Sequence, residues 1–388
     1  MRKDISLEIA VCALAAAFAP GRGRAVARQV IEACRGGGRD AILAQRELLN
    51  PRFLSQAEEI VTLAEYRQLR VVLLGEGDYP ERLAEIPDPP PILFARGSIE
   101  RVFSSLAKSF SVSIVGARRS TAYGNRIARQ LAAEVVEAGG IVVSGLARGI
   151  DTAAHEGALS VARERGVSAG IAVLGSGLLR VYPAENRDLC DFLCDQGGCV
   201  LSEYAPLESP TQFSFPERNR IVSGLSDAVV VVEAGERSGA LITARLAAEQ
   251  GRDVFAVPGQ IDSGASVGSN ELIMQGAIPC RGFKDILDNN PRLRGLVSSP
   301  AVLVGSRVQL GKPCREQVLG GLSDSDARFA ASILSLIDSR SLVEFEALIV
   351  ELNAEAPRLR ATLIELELAG LVFSVSGGRF STSESIDM

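Results

Sequence analysis

The 388-residue sequence has one histidine, His155, and seven cysteines, no two of them spaced as Cys-x-x-Cys. A zinc site takes three or four such ligands. Only Cys190, Cys194 and Cys199 cluster, so a zinc centre lacks its ligands. An odd count without pairs points to reduced thiols in a cytosolic protein. Lysine is scarce: Lys3, Lys108, Lys284 and Lys312 are the only four among 41 basic residues, which face 47 acids for a net charge of −6. That balance excludes a general affinity for nucleic acid or anionic membranes. Any polyanion site must be a local arrangement, and it must be built of arginine, whose planar fork suits bidentate phosphate contacts. No apolar run is long enough to span a bilayer. Ile9 to Ala19, behind Arg2 and Lys3, has the length of a signal-peptide core, but Asp4 and Glu8 interrupt it. A buried amphipathic helix is expected there.

Two nucleotide signatures are also missing. The one Gly-Lys pair, Gly311-Lys312, is followed by Pro313 where a P-loop needs Ser or Thr, and it stands one residue too far from Gly305. The dinucleotide fingerprint needs a second glycine so that backbone can approach a pyrophosphate. Here the run is Gly116-Ala117-Arg118, and no acid follows the second strand at Ser144-Gly145 to hold a ribose. Neither an ATPase nor a dinucleotide enzyme is expected, and no other cofactor is implied.

What is present is a series of β-branched apolar runs, each ending in a glycine turn and a helix start. SVSIVGARRSTAYG (111–124), IVVSGLARGID (141–151), IAVLGSGLLRVYPAEN (171–186) and AVVVVEAGERSGALITA (228–244) carry it, with CVLSEY and DVFAVPG supplying further strands. Such a pattern predicts a doubly wound, mainly parallel α/β sheet whose ligands bind beyond the carboxyl ends of the strands. Residues 110–288 form this core. Before it lie a helical region, 1–70, broken at Pro20-Gly21-Arg22-Gly23, and an extended linker, 71–109, containing Asp88-Pro89-Pro90-Pro91. After it come a second linker, 289–322, and a helix–helix–hairpin pattern, 323–388, that resembles a winged helix.

The candidate ligand-binding residues sit in the core's turns. Arg118 and Arg119 occupy the first, where Ser120 is placed to cap the helix carrying Arg126 and Arg129. Arg148 lies between two glycines in the second, with Asp151 placed as the next N-cap. His155 is one helical turn further and has no nucleophile beside it in sequence, so it reads as structural. FSFPERNRIVSGLS (213–226) sets Phe213 and Phe215 beside Arg218, Asn219 and Arg220. Aromatic rings next to guanidiniums suit single-stranded nucleic acid, whose bases stack while its phosphates pair; one of the two rings is expected to plug the core. Ser238 and Thr243 open a helix whose free N–H groups suit an anion.

Seven segments in this order resemble the DNA-processing protein A (DprA, or Smf) family: SIVGARRSTAYG, SGLARGIDTAAHEGAL, AVLGSGLLRVYP, SEYAP, FPERNRIVSGLS, VVEAGERSGALITARLAAEQGRDVFAVPG and SNELIMQGA. The resemblance covers nearly the whole chain, including a sterile-alpha-motif-like helical N-terminus and the winged helix. It implies a cytoplasmic, non-enzymatic protein that binds single-stranded DNA, and duplex DNA more weakly. Such a protein helps load the RecA recombinase in natural transformation, and it forms a homodimer through the Rossmann-like domain. The matching positions imply phosphate or base contacts by Arg118, Arg148, Phe215, Arg218, Asn219 and Arg220, with Gly116, Ser120, Ser238 and Thr243 as backbone or hydroxyl contacts. The winged helix carries 11 acids against five arginines, with Glu365 and Glu367 on its recognition helix. A duplex would repel that face, so a protein-contacting role is expected of it. The alternatives are a phosphoribohydrolase resembling the LOG and lysine-decarboxylase-like proteins, or an interaction scaffold that binds DNA secondarily. The first would need a PGGxGTxxE pattern, and Ala234-Gly235-Glu236 stands where its double glycine belongs.

Overall fold

In the computed structural model, residues 5–18, 23–297, 324–340, 343–368, 371–375 and 379–382 are described. They belong to two compact units, Met1–Val308 and Gln309–Met388. The first is built on a nine-stranded sheet in the order β1-β2-β6-β5-β4-β3-β7-β8-β9. Its parallel part comprises β3 (Ser111–Val115), β4 (Ile141–Ser144), β5 (Ile171–Val173), β6 (Cys199–Ser202), β7 (Ala228–Val231), β8 (Asp253–Ala256) and β9 (Ile278–Pro279). Strands β3, β4, β5, β6 and β7 are buried at every position, as continuous apolar runs covered on both faces should be. The chain winds outward from β3 through β6, then returns to lay β7 on the other side of β3, in the register Val112↔Ala228. The topological switch point therefore lies between β3 and β7, and a ligand crevice is expected beyond their carboxyl ends.

The stretch read as an extended linker is part of this sheet. β1 (Arg70–Leu73) and β2 (Ile92–Gly97) pair antiparallel, Val71↔Phe94, and β2 then pairs antiparallel with β6, Phe94↔Ser202. The prolines 89–91 serve only the connection between them. Ile92, Leu93, Phe94 and Ala95 are all buried, a short apolar run whose strand character the neighbouring prolines obscured. The second expected linker also begins in structure, since Pro291–Leu296 is a short helix capped by Asn290. The remainder of that linker, 298–322, lies outside the described residues.

Helices α1 (Ile5–Ala17), α2 (Gly23–Leu48) and α3 (Pro51–Tyr66) form the N-terminal region, with a kink at Gly38 (φ 61°) inside α2. The break read at Pro20 to Arg22 is outside the described residues. Helix α1 is not amphipathic: Ile9 to Ala16 are all buried, the mark of a helix enclosed on every side. Its core is continuous with one face of the sheet, joining Ile9, Val11 and Leu14 to Leu73, Phe94 and Leu174. The helical region thus shares the sheet's hydrophobic core.

Helices α4 (Glu81–Ala84) and α5 (Ile99–Lys108) precede β3, and α6 (Ala122–Glu137), α7 (Ile150–Arg165), α8 (Arg187–Asp195) and α9 (Ser214–Gly224) lie between β3 and β7 in chain order. They are followed by α10 (Gly239–Glu249) and α11 (Val267–Met274). Serines buried in the central strand anchor α9: Ser111 Oγ donates to Leu225 O at 2.8 Å and Ser113 Oγ to Val222 O at 3.0 Å. The second unit has helices Asp324–Arg340, Phe345–Leu352 and Ala356–Leu368 and a three-stranded sheet in the order Val343–Glu344, Arg379–Thr382, Val372–Val375. That is a winged helix, with its own core around Ile333, Leu348 and Leu363. Among the described residues no helix is long and apolar enough to cross a membrane.

Candidate nucleic-acid interface

Three turns meet at the switch point, and glycine lets them interlock. A Cβ on Gly116 would lie 2.6 Å from Ile150 Cγ1 and 2.9 Å from Glu233 O. Gly149 has φ +75°, and a Cβ there would lie 2.3 Å from Ala117 O. Across this junction Ala117 N donates to Glu233 O at 2.7 Å. The Glu233 carboxylate, buried at the end of β7, accepts from Thr121 N at 2.9 Å. The first and fourth turns are therefore fixed to each other from below, and their arginines point outward.

The helix after the first turn is capped by Thr121, whose hydroxyl accepts from Gly124 N at 3.1 Å. Ser120, read as that cap, instead turns its hydroxyl onto Asn125 Oδ1 at 2.6 Å. Asp151 is likewise not a cap: the helix begins at Ile150, and Asp151 Oδ2 reaches back to Gly145 N at 3.1 Å and Ala147 N at 3.3 Å. It holds the second turn shut. Burial raises its pKa. His155 is fully buried on α7, and burial pushes it down to about 4, so it is neutral at physiological pH. Neither ring nitrogen has a hydrogen-bond partner among the described residues.

Beyond the strand ends lies a cleft of about 890 Å³. Arg118 and Arg119 enter it from the first turn, Phe215 and Asn219 from α9, Arg237 and Ser238 from the fourth turn. Arg118 stacks on the Phe215 ring at 4.7 Å. Phe215 packs in turn against Tyr182, with ring centroids 5.5 Å apart. Ser238 caps α10, accepting from Ala240 N at 3.3 Å, so the positive end of that helix faces the cleft. Arg118, Arg119 and Arg237 are exposed and form no ion pair among the described residues. The one carboxylate lining the cleft is the buried, backbone-bonded Asp151. The site is a local cationic surface on an acidic chain.

Of the residues read from sequence, Gly116, Arg118, Phe215, Arg218, Asn219, Ser238 and Thr243 line this cleft. Arg218 does so differently from expectation. Its guanidinium is buried and donates to Gly145 O at 2.6 Å and to Val173 O, tying the ends of β4 and β5 together. Thr243 is also buried, its hydroxyl turned to Gly239 O at 3.5 Å. Arg148 lines a side cleft of about 150 Å³ next to Tyr182 and Phe215, and it is held by Glu185, with Nη2 to Oε2 at 2.9 Å. Arg220 and Ser120 line neither cleft. Arg220 faces away, pairing with Glu203 and Asp88. Four arginines in three segments had suggested one convergent grip; the geometry divides them into exposed, paired and buried. Phe213 is 68% exposed and Phe215 half-buried, so neither plugs the core. Sequence reasoning missed Arg237 as a ligand candidate. The signal was present: an arginine directly before the serine that caps a helix at a strand end.

A doubly wound sheet with a cationic, aromatic-walled cleft at its switch point defines a Rossmann-like α/β protein. The profile of the DNA recombination-mediator protein A family matches residues 70–291, and that of the DprA winged helix domain matches 322–378. The chain is 37% identical to Protein Smf of Escherichia coli strain K12 over 336 residues, covering 86% of this chain and 83% of that protein. It is 40% identical to DNA processing protein DprA of Bacillus subtilis strain 168, over 59% of this chain and 74% of the relative. The X-ray structure of DprA from Streptococcus pneumoniae aligns with a TM-score of 0.53 at 33% identity, over 73% of this chain and 93% of that one. DprA from Helicobacter pylori, whose structure was described for its single-stranded DNA binding mode, aligns with a TM-score of 0.51 at 30% identity, over 59% and 97%. The chain belongs to the DprA/Smf family of DNA-processing proteins.

Proposed function

We propose that the cleft binds single-stranded DNA without sequence preference, as a binding site and not a catalytic one. The observation that carries this is the set of unpaired arginines, Arg118, Arg119 and Arg237, around the Phe215 ring and the N-terminus of α10. Guanidiniums and helix N–H groups take phosphates, and an aromatic ring takes any base. The Helicobacter pylori relative, studied for its binding of single strands, supports the reading. The lone lining carboxylate, Asp151, is occupied by backbone N–H groups, which leaves no free general base in the cleft. Stacked duplex bases cannot enter such a cleft, so duplex DNA binds more weakly.

The family resemblance extends the proposal: in the cytoplasm the chain presents the bound strand to RecA, as part of DNA uptake by transformation, and acts as a homodimer. Exposed apolar side chains near the carboxyl end of the core, Ile261 at 94% and Met274 at 83%, support a subunit contact there. Met274→Asp, followed by sedimentation, tests it: a shift to monomer is expected. The first measurement is fluorescence anisotropy with labelled single- and double-stranded oligonucleotides across a salt series, without nucleotide or metal. Tight single-strand binding that weakens steeply with salt is expected. Equal affinity for duplex, or no binding, would remove the reading.

A further inference from the structure

Helix α9 has two faces with different tasks. Phe215 and Asn219 face the cleft. Glu217 and Arg220 belong to a cluster in which three guanidiniums meet three carboxylates. Arg220 pairs with Glu203 through two bonds of 2.7 Å and with Asp88 at 3.1 Å. From α2, Arg24 reaches Asp88 at 3.1 Å, Glu203 at 3.4 Å and Glu217 at 3.3 Å. Arg28 meets the other oxygen of Asp88 at 3.0 Å. Tyr204 adds a hydroxyl to Glu217 at 3.1 Å and to Ser214 O, at the start of α9, at 3.3 Å. The network thus runs from the N-terminal helices, through the Pro-rich connection and the end of β6, onto the back of the helix that lines the cleft.

We propose that Arg24 and Arg28 are positioning residues for the cleft, fixing α9, and with it Phe215 and Asn219, through Asp88, Glu203 and Arg220. Without the two arginines of α2, Asp88 and Glu203 would share Arg220 alone, and Glu217 would keep only the Tyr204 hydroxyl. Glu203 and Arg220 have side chains only 6% and 8% exposed, so solvent does not compensate. Arg24 spans three acids with a planar fork; an ammonium is a point charge and bridges one or two. An isolated exposed pair contributes little, but this cluster is shared, part-buried and anchored on a helix whose placement sets the cleft. The geometry stands without any ligand; the effect on affinity rests on the single-strand reading above.

The test uses the full chain and the double variant Arg24→Lys, Arg28→Lys, which keeps the net charge. Two readouts are taken: anisotropy with a fluorescein-labelled oligothymidine across a salt series, and amide hydrogen exchange without DNA. Positioning predicts about fivefold weaker binding at every salt concentration with an unchanged salt slope, and faster exchange in residues 214–224 but not in α6 or α7. Native-like affinity together with native-like exchange overturns it. Lysine would preserve phosphate contacts, so Arg24→Gln, Arg28→Gln is measured beside the lysine variant: a slope lower by about 1.4, as for two lost phosphate contacts, overturns the positioning role by making the arginines direct ligands. If the native chain does not bind the probe, the single-strand reading fails, and exchange in α9 alone decides the positioning. If the double variant does not fold, Arg28→Lys alone, which weakens one contact to Asp88, is measured the same way with a smaller shift expected.

Discussion

Arg118 and Phe215 touch, yet they should fail in different ways. Arg118 is exposed and stacked on the ring at 4.7 Å. Replacing it with alanine removes one phosphate partner, so the salt slope for single-strand binding should fall by about 0.7. Phe215→Ala should cost about 1–3 kcal/mol of affinity through lost stacking, with the slope unchanged. Identical salt dependence in both variants would contradict the division of labour. His155 makes a separate claim, on stability. Its folded pKa of about 4 lies below histidine's ordinary 6.5, so the unfolded chain binds a proton more readily between the two. Stability from this residue is fully present above pH 6.5 and is lost as pH falls toward 4. Between pH 6.5 and 5 the loss is about 2 kcal/mol. Urea unfolding at the two pH values should show that loss in the native chain and less of it in His155→Gln; the difference between the chains cancels the contribution of buried Asp151. Equal pH dependence would mean that His155 is hydrated or paired in solution.

At the scale of elements, the turns were legible because glycine and serine sit where backbone geometry demands them. Gly116 and Gly149 mark close approaches that no side chain fits, and each follows a run that could only be a buried strand. What a single sequence could not carry was the direction of each arginine. Arg218 and Arg220 lie two apart on α9, and on a helix that spacing sends side chains to different faces. One is buried under the cleft and the other is turned to Glu203, 17 residues away in sequence. Arg148 met Glu185 from a loop with no visible charge pattern linking the two. Strand β2 was hidden for a related reason, since its partner β6 lies far along the chain and adjacent prolines dominated the local reading. Helix α10 supplies the test at this scale. Ser238→Ala should remove its cap and cost about 1 kcal/mol of stability, while Ser238→Asp keeps a capping oxygen. Aspartate also adds a negative charge to the cleft. It should therefore preserve the unfolding midpoint and still weaken single-strand binding. An aspartate variant that binds as the native chain does would place the phosphates elsewhere.

For the whole molecule the question is which unit carries the DNA. The net charge of −6 belongs to the full chain, so a cationic site must be kept apart from the acidic surface. In the winged helix the arginines are engaged within the unit. Arg358 pairs with Asp326 and stacks over Phe329, Arg360 stacks over Phe345, and Arg340 pairs with Glu351. The carboxylates paired with Arg358 and Arg340 compete with phosphate for those two guanidiniums. In the first unit, Arg118, Arg119 and Arg237 at the cleft form no ion pair among the described residues. Removing residues after 321 should therefore leave single-strand affinity within about twofold and leave the salt slope intact, because the number of phosphate contacts is unchanged. The truncated chain also loses net negative charge: residues 323–388 hold 11 acids and five arginines, and the full-chain value of −6 becomes zero, since −6 − (5 − 11) = 0. A modest gain in affinity at low salt is the direction expected from that change, fading as salt screens it. A large loss of binding or a shallower slope on truncation would mean that the winged helix contributes phosphate contacts of its own, and the cleft would then be only part of the interface.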